Sequence, residues 1–338
     1  MYPFFRSLLF RLEPEQAHSL TLNMMQLAGA VPLLQTLLRS WFAAPQKPVQ
    51  AFGLTFANPV GLAAGYDKDG LGWRGLSCLG FGHIEVGTVT PRPQDGNPHP
   101  RLFRLVDERA LINRMGFPGK GAAFVMRRLE PPRLKGLVLG VNLGKNKDTP
   151  LERAVEDYLF LLANFAPLAD YLVINISSPN TVGLRGLQAR QALSELITPL
   201  VEQRQVQETT LGRRVPLLVK LAPDLSDREL DDALDVILGS GIDGVVATNT
   251  TVERDGISSS LAGETGGLSG APLGERSTEM VRQIYKRTAG KLPIVGVGGV
   301  MGPDDARAKL DAGAALVQVY TGLVYAGPGL VREIVTSL

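Results

Sequence analysis

From residue 58 onward the chain alternates between short apolar runs and longer stretches with helical spacing. The runs are NPVGLAAG (58–65), HIEVGTVT (83–90), LVLGVNLG (137–144), YLVI (171–174), PLLVKLAP (216–223), DGVVATNT (243–250), PIVGVGGV (293–300) and LVQVYTG (316–322). They are rich in Val, Leu and Ile, and each is followed by a helix-like segment, the pattern of a parallel sheet with helical crossovers. Eight such units favour a closed α/β fold, the (β/α)8 or TIM barrel, over an open doubly wound sheet. The repetition is architectural, since no close internal sequence repeat accompanies it.

Each run ends in something other than core. The first ends in Ala64 and Gly65, followed by Asp67, Lys68 and Asp69; the second ends in Gly87, Thr88 and Thr90, and the third in Asn142. The fourth, YLVINISSPN (171–180), breaks into Asn175, Ser177, Ser178, Pro179 and Asn180. Lys220 stands near the end of the fifth, and the sixth finishes Thr248, Asn249, Thr250. Gly298 and Gly299 close the seventh; Tyr320, Thr321 and Gly322 close the eighth. One Asn or Thr at a strand end is ordinarily a turn residue. In a barrel all eight ends converge on one mouth, where active sites are built.

Glycine-rich turns follow strands six (GETGGLSGAP, 263–272), seven (GVGGVMGPDDA) and eight (VYTGLVYAGPG). Backbone N–H groups in such turns cradle phosphate. No Gly-x-Gly-x-x-Gly follows an early strand, which argues against a Rossmann dinucleotide site and for a mononucleotide such as FMN. Between strands two and three, residues 91–117 form a long, proline-broken segment with alternating character over Arg101–Leu105. It reads as a lid or floor at the mouth, or as a plain hairpin over it.

Residues 1–45 differ from the rest, so the chain divides into a small N-terminal helical appendage (1–45) and a barrel (46–338). Leu20, Met24 and Leu27, then Leu34, Leu37, Leu38 and Trp41, recur at helical spacing. Pro14 and Pro32 suit first helical turns, and Gly29 a stop between them. No run is long enough to span a bilayer, and charged residues interrupt any signal-peptide pattern early. Two readings stay open: a helical hairpin packed on the barrel, or a monotopic anchor lying in the membrane interface. Phe4, Phe5, Phe10, Trp41 and Phe42, with Arg6, Arg11 and Arg39, fit the second.

Composition narrows the functional classes. The 338 residues are 44% apolar and 20% charged, which suits a large core and excludes a disordered chain. A net charge of +2 gives no case for nucleic acid. The single cysteine, Cys78, forms no internal disulfide, and three scattered histidines offer no metal site of familiar spacing.

Taken together, AAGYDKDG, EVGTVTPRPQDGNPHPRLFRL, INRMGF, NISSPNTVGLR, VKLAPD, TNTT, GGLSG, GVGGV and YTG resemble the dihydroorotate dehydrogenase family across residues 58–322. The serine in NISSPN and the helical N-terminus resemble its quinone-linked, membrane-associated class. The resemblance implies oxidation of dihydroorotate to orotate, one FMN per chain, electrons passed to a membrane quinone, and a peripheral place on the cytoplasmic side of the cell membrane. It implies that Ala64, Gly65, Tyr66, Asp67, Lys68, Thr88, Asn142, Asn175, Lys220, Thr248, Gly270, Gly299, Tyr320 and Thr321 hold FMN. Lys68, Asn113, Arg114, Met115, Gly116, Phe117, Asn175, Asn180, Asn249 and Thr250 would hold the substrate. Ser178 would be the catalytic base, and Arg104 would sit near the quinone where barrel and appendage join.

These residue types suit the chemistry. Four asparagines match a ring edged with amide N–H and C=O groups, because each amide both donates and accepts. Lys68 and Lys220 supply positive charge. Lys220 interrupts an apolar strand and must find a partner. Two alternatives share the barrel: a soluble flavoenzyme of the same family with another electron acceptor, and a Schiff-base aldolase built on Lys220.

Overall fold

The computed structural model describes residues 2–338 apart from Pro131 and Arg133. Eight parallel strands close into a barrel: Val60–Leu62, His83–Val89, Val138–Leu143, Tyr171–Asn175, Leu217–Leu221, Gly244–Ala247, Ile294–Val297 and Leu316–Val319. Each pairs with its neighbour in chain order, and Val317 of the eighth pairs with Val60 of the first to complete the ring. The eight apolar runs are these eight strands, so the barrel fold expected from the sequence is borne out.

The lumen is packed rather than hollow. Val173, Leu218, Val246, Val295 and Leu316 point inward, and Tyr171 and His83 fill the space left by glycines. A side chain at Gly61 would sit 2.0 Å from His83 Nε2, and one at Gly140 would sit 2.2 Å from Tyr171 Cζ. His83 is fully buried, and burial pushes it down to about 3, so it is neutral. A short antiparallel hairpin, Val49–Ala51 with Leu54–Phe56, closes the end where the strands begin, with Phe56 edge-on to His83. The opposite end, where the strands finish, is left for chemistry.

A three-stranded antiparallel sheet roofs part of that mouth. Leu102–Leu105 and Ala110–Asn113 come from the long segment after the second strand, and Gly267–Gly270 comes from the glycine-rich turn after the sixth. The plain hairpin therefore gains a third strand. Tyr325 fastens it by donating to the carbonyls of Leu105 (2.9 Å) and Ala110 (3.0 Å).

The N-terminal segment is three helices: Tyr2–Leu9, Pro14–Ala30 and Pro32–Phe42. Pro14 and Pro32 do open helices, with Glu13 capping the first of them through the amides of Glu15 and Gln16. The helix over Tyr2–Leu9 was not legible beforehand, because eight residues hold too few turns to show a period. The segment is fastened to the barrel by small residues and specific bonds. Gly29 and Gly75 let two helices touch: a side chain at Gly75 would lie 2.0 Å from the Met25 carbonyl oxygen. Arg101 clamps Glu15 at 2.6 Å, and Tyr2 donates to the Val324 carbonyl at 2.6 Å. The apolar periodicity faces the other way. Leu20, Met24, Leu27, Leu37 and Trp41 are exposed, together with Phe4, Phe5 and Leu33. Among the described residues no helix is long and apolar enough to cross a membrane.

Candidate active site

The strand ends gather around one cavity of about 970 Å³, counting its open mouth. Ala64, Gly65, Lys68, Thr88, Asn113, Met115, Gly116, Phe117, Asn175, Ser178, Asn180, Lys220, Thr248, Asn249, Thr250, Gly270, Gly299, Tyr320 and Thr321 all line it.

Beneath the cavity is a network of polar side chains that have left water. The Asn175 amide donates to Thr88 Oγ1 (2.9 Å) and Asn142 Oδ1 (3.1 Å). Its carbonyl oxygen accepts from Ser177 Oγ (3.1 Å) and Asn249 Nδ2 (3.4 Å). Thr88 donates to Asn142 Oδ1 at 2.6 Å, and Asn142 Nδ2 donates to Glu85 at 2.7 Å. Glu85 also accepts from Gln318 Nε2 at 2.8 Å. Strands two, three, four and eight and the end of strand six are thereby joined by their side chains. Asn142, Asn175 and Asn249 each both give and receive, as a buried polar cluster requires, while Gln318 donates but its Oε1 is buried without a partner among the described residues.

Against this floor, three groups stand out. Lys220 is buried, its ammonium donates to none of the described residues, and burial lowers its pKa while the charge of Glu85 opposes that fall. Lys68 donates to the Gly65 carbonyl at 2.8 Å; withdrawal from solvent pulls it down to about 8, against the charges of Glu15 and Asp69. Ser178 differs from its neighbour Ser177. Ser177 is fully buried, donating to Asn175 and accepting from Asn249 at 3.0 Å. Ser178 lines the cavity, and its oxygen accepts only the Asn180 amide N–H, at 3.2 Å. Asn180 in turn donates to Asn113 Oδ1 at 3.1 Å, tying the serine turn to the roof.

Four expected site residues lie elsewhere. Asp67 is fully buried and accepts from the amides of Leu71 and Gly72 at 2.8 Å each, so its carboxylate folds the turn after strand one. Burial raises it to about 6 even so. Tyr66 packs edge-on between His18 and Tyr320 and faces a second cavity. Asn142 lies in the floor and reaches the cavity only through Thr88 and Asn175. Arg114 turns outward, paired with Glu264 and stacked 4.5 Å over the Phe103 ring. Ser269, Met301 and Gln318 line the cavity without having been singled out, and Glu85 lies under it. Ser269 sits within GGLSG at hydrogen-bond distance from Thr321, 2.8 Å. Glu85 and Gln318 carried a signal: each puts a long polar side chain inside an apolar run.

The second cavity, about 570 Å³, lies between the N-terminal helices and the barrel. Leu9, Phe10, Ala17, Leu102 and Val324 form its apolar side and Tyr2, His18, Thr21 and Arg104 its polar one, and Tyr320 belongs to its wall and to that of the main cavity. Arg104 is its cation. The guanidinium lies 4.2 Å over the Phe10 ring and donates to the Phe10 carbonyl at 3.2 Å, but Nε is buried without a partner. His18, in the same wall, is pushed down to about 4 by burial and is neutral at physiological pH.

The dihydroorotate dehydrogenase family model matches residues 48–338. A Stenotrophomonas maltophilia relative named dihydroorotate dehydrogenase (quinone) is 51% identical over all of this chain and 96% of its own length. A Chromobacterium violaceum relative of the same name is 52% identical over 98% of this chain and 96% of its own. The crystal structure of an Eimeria tenella dihydroorotate dehydrogenase in complex with ferulenol superposes with a TM-score of 0.87 at 40% identity, covering 96% of this chain and 90% of that one.

The polar floor predicts a stability cost that is independent of any ligand. Asn175→Ala removes the acceptor of the Ser177 hydroxyl and the donor to Thr88 Oγ1, and one bond each from Asn142 and Asn249, in a buried site, at about 2–3 kcal/mol. Chemical denaturation measures it; unchanged stability would mean that Asn175 is not the hub.

Proposed function

The chain belongs to the dihydroorotate dehydrogenase family, and from that membership we propose that it oxidises (S)-dihydroorotate to orotate in pyrimidine biosynthesis, using FMN and passing the electrons to a membrane quinone. One observation carries the reading. A cavity with one under-used hydroxyl, Ser178, shares a single wall residue, Tyr320, with a second cavity that lies under helices whose outer face is apolar.

The main cavity fits a flavin mononucleotide. Lys220 brings a buried ammonium with no hydrogen-bonding partner among the described residues, suited to the electron-rich edge of the flavin ring. Gly298 and Gly299, with the short helix Thr321–Ala326 nearby, offer backbone to a phosphate. When bound, the flavin would accept the hydride that leaves C6 of dihydroorotate and later give up two electrons to quinone. The protein's own residues do the rest. Asn113, Asn180, Asn249 and Thr250 present donors and acceptors to the amide edges of the pyrimidine. Lys68 supplies charge for the substrate carboxylate. The Ser178 oxygen takes the proton that leaves C5 while its own hydroxyl proton passes on toward solvent, the role of a positioned general base.

The second cavity would take a quinone ring against Leu9, Phe10, Leu102 and Val324, with the orphaned Arg104 Nε as donor to a quinone carbonyl. Exposed Phe4, Phe5, Leu8, Leu33 and Trp41, with Arg6 and Arg39 among them, support a helical face lying in the cytoplasmic side of the cell membrane. An electron acceptor dissolved in lipid would then reach the cavity without crossing water. The aldolase reading of Lys220 is not retained, because the family's reaction is an oxidation.

Mixing the flavin-loaded enzyme with dihydroorotate under anaerobic conditions should bleach the flavin absorbance, and added quinone should restore it; a spectrum indifferent to dihydroorotate would contradict the reaction. In the same experiment Ser178→Ala should retain FMN but bleach on the order of 10²–10⁴ times more slowly at neutral pH. A near-normal rate would remove Ser178 from the base role. For the membrane face, Phe4→Glu combined with Trp41→Glu should abolish co-sedimentation with anionic lipid vesicles while flavin content stays unchanged. Equal co-sedimentation of the two proteins would count against the anchor.

A further inference from the structure

Lys309 is a cation with no obvious reason to be where it is. It lies on the helix Pro303–Asp311, outside both cavities, and is 0% exposed. Its stem crosses Gly296 of the seventh strand, where an added Cβ would meet Lys309 Cδ at 3.1 Å. Its ammonium donates to Ser277 Oγ at 2.6 Å and to Thr278 Oγ1 at 3.0 Å, in the first turns of the helix Gly274–Arg287. Ser277 Oγ is also placed to donate to the Gly298 carbonyl, at 2.9 Å. Gly298 and Gly299 line the main cavity.

Electrostatics argue against a lysine there. Among the described residues no carboxylate is within ion-pair distance of it. Asp305, on its own helix, spends its carboxylate on the Met301 amide at 2.9 Å. The ammonium also sits near a helix N-terminus, where unsatisfied N–H groups already make the potential positive. A buried, unpaired charge in such a place is costly. An anion on the far side of the Gly298–Gly299 turn would remove that cost.

We propose that Lys309 is the buried counter-charge for the phosphate of the flavin mononucleotide and, through Ser277, the positioning residue of the Gly298–Gly299 turn. It does not touch the phosphate. It acts through its field, and through a hydroxyl that engages the Gly298 carbonyl and leaves the neighbouring amides for the anion. This rests on the FMN reading above.

A pH signature follows. Burial pulls Lys309 down to about 8, opposed by the charge of Asp305. The helix Gly274–Arg287 faces it with the hydroxyls of Ser277 and Thr278, and the seventh strand with Gly296. A bound dianion favours the charged ammonium and raises that value. Phosphate binding therefore takes up a proton above pH 8, and FMN affinity falls as pH rises from about 8 toward the ordinary lysine value.

The test titrates flavin-depleted enzyme with FMN and with riboflavin, which lacks the phosphate, following flavin fluorescence across this pH range in phosphate-free buffer. Wild-type enzyme should lose FMN affinity above pH 8 and hold riboflavin evenly. Lys309→Met should bind FMN about tenfold more weakly at neutral pH, lose the pH slope, and bind riboflavin as wild type does. Equal losses for both flavins would show that Lys309 only packs the fold, and would overturn the proposal. Should the variant fail to fold, the wild-type comparison decides alone: an FMN affinity that is flat with pH overturns it. A wild-type protein that binds no FMN at any pH overturns the cofactor reading and this inference with it.

Discussion

A polar side chain that leaves water inside a barrel has to find its hydrogen bonds among other side chains, and here that requirement is met by one amide. Asn175 spends its donors and its acceptor on Thr88, Asn142, Ser177 and Asn249, and the chain of bonds runs on through Glu85 to Gln318. Those bonds hold the rotamers of the floor. Capacity for a ligand remains on side chains that line the cavity, among them Lys220, Lys68, the Ser178 hydroxyl and the unpartnered Gln318 Oε1. A site of this kind is preorganised because its floor cannot rearrange without leaving a buried group unpaired.

The same logic divides the molecule into two rooms. The polar room lies over the Asn175 network and the other room under the N-terminal helices, and Tyr320, whose ring stacks edge-on with Tyr66, lines both. The wall is held from the helical side as well. Glu15, from the second N-terminal helix, pairs with Arg101 beside the roof, and its charge also reaches Lys68 in the polar room. The appendage is thus an electrostatic neighbour of the substrate site as well as a lid over the second cavity.

The barrel was readable because strands buried on both faces leave long apolar runs, and each run ended at a visible polar break. The cavity lining was readable where a motif put an unusual residue at such a break, as with Ser178, Asn180, Asn249 and Lys220. Other polar residues of the same motifs lie away from the cavity and serve the chain itself. Asp67 folds its own turn, Arg114 pairs outward with Glu264, and Asn142 stands one layer below the cavity. Sequence neighbours of a ligand contact share its motif without sharing its direction. The N-terminal helices partly invert the usual inference from periodicity: Ala17, Ala28 and Gly29 meet the barrel together with Leu22, while Leu20, Met24, Leu27, Leu37 and Trp41 face out. Lys309 carried no signal in the sequence, since a lysine on a surface-type helix is normally solvated and only the packing of Ser277 and Gly296 shows that this one is not.

Under the proposed function the two rooms serve separate halves of one reaction. Stopped-flow absorbance of the flavin can observe each half alone, reduction by dihydroorotate and reoxidation by quinone, in wild-type enzyme and in Arg104→Ala. The account predicts unchanged reduction and reoxidation slowed by at least tenfold, a loss fitting one removed charge-assisted hydrogen bond. Equal slowing of both halves, or none in reoxidation, would contradict it.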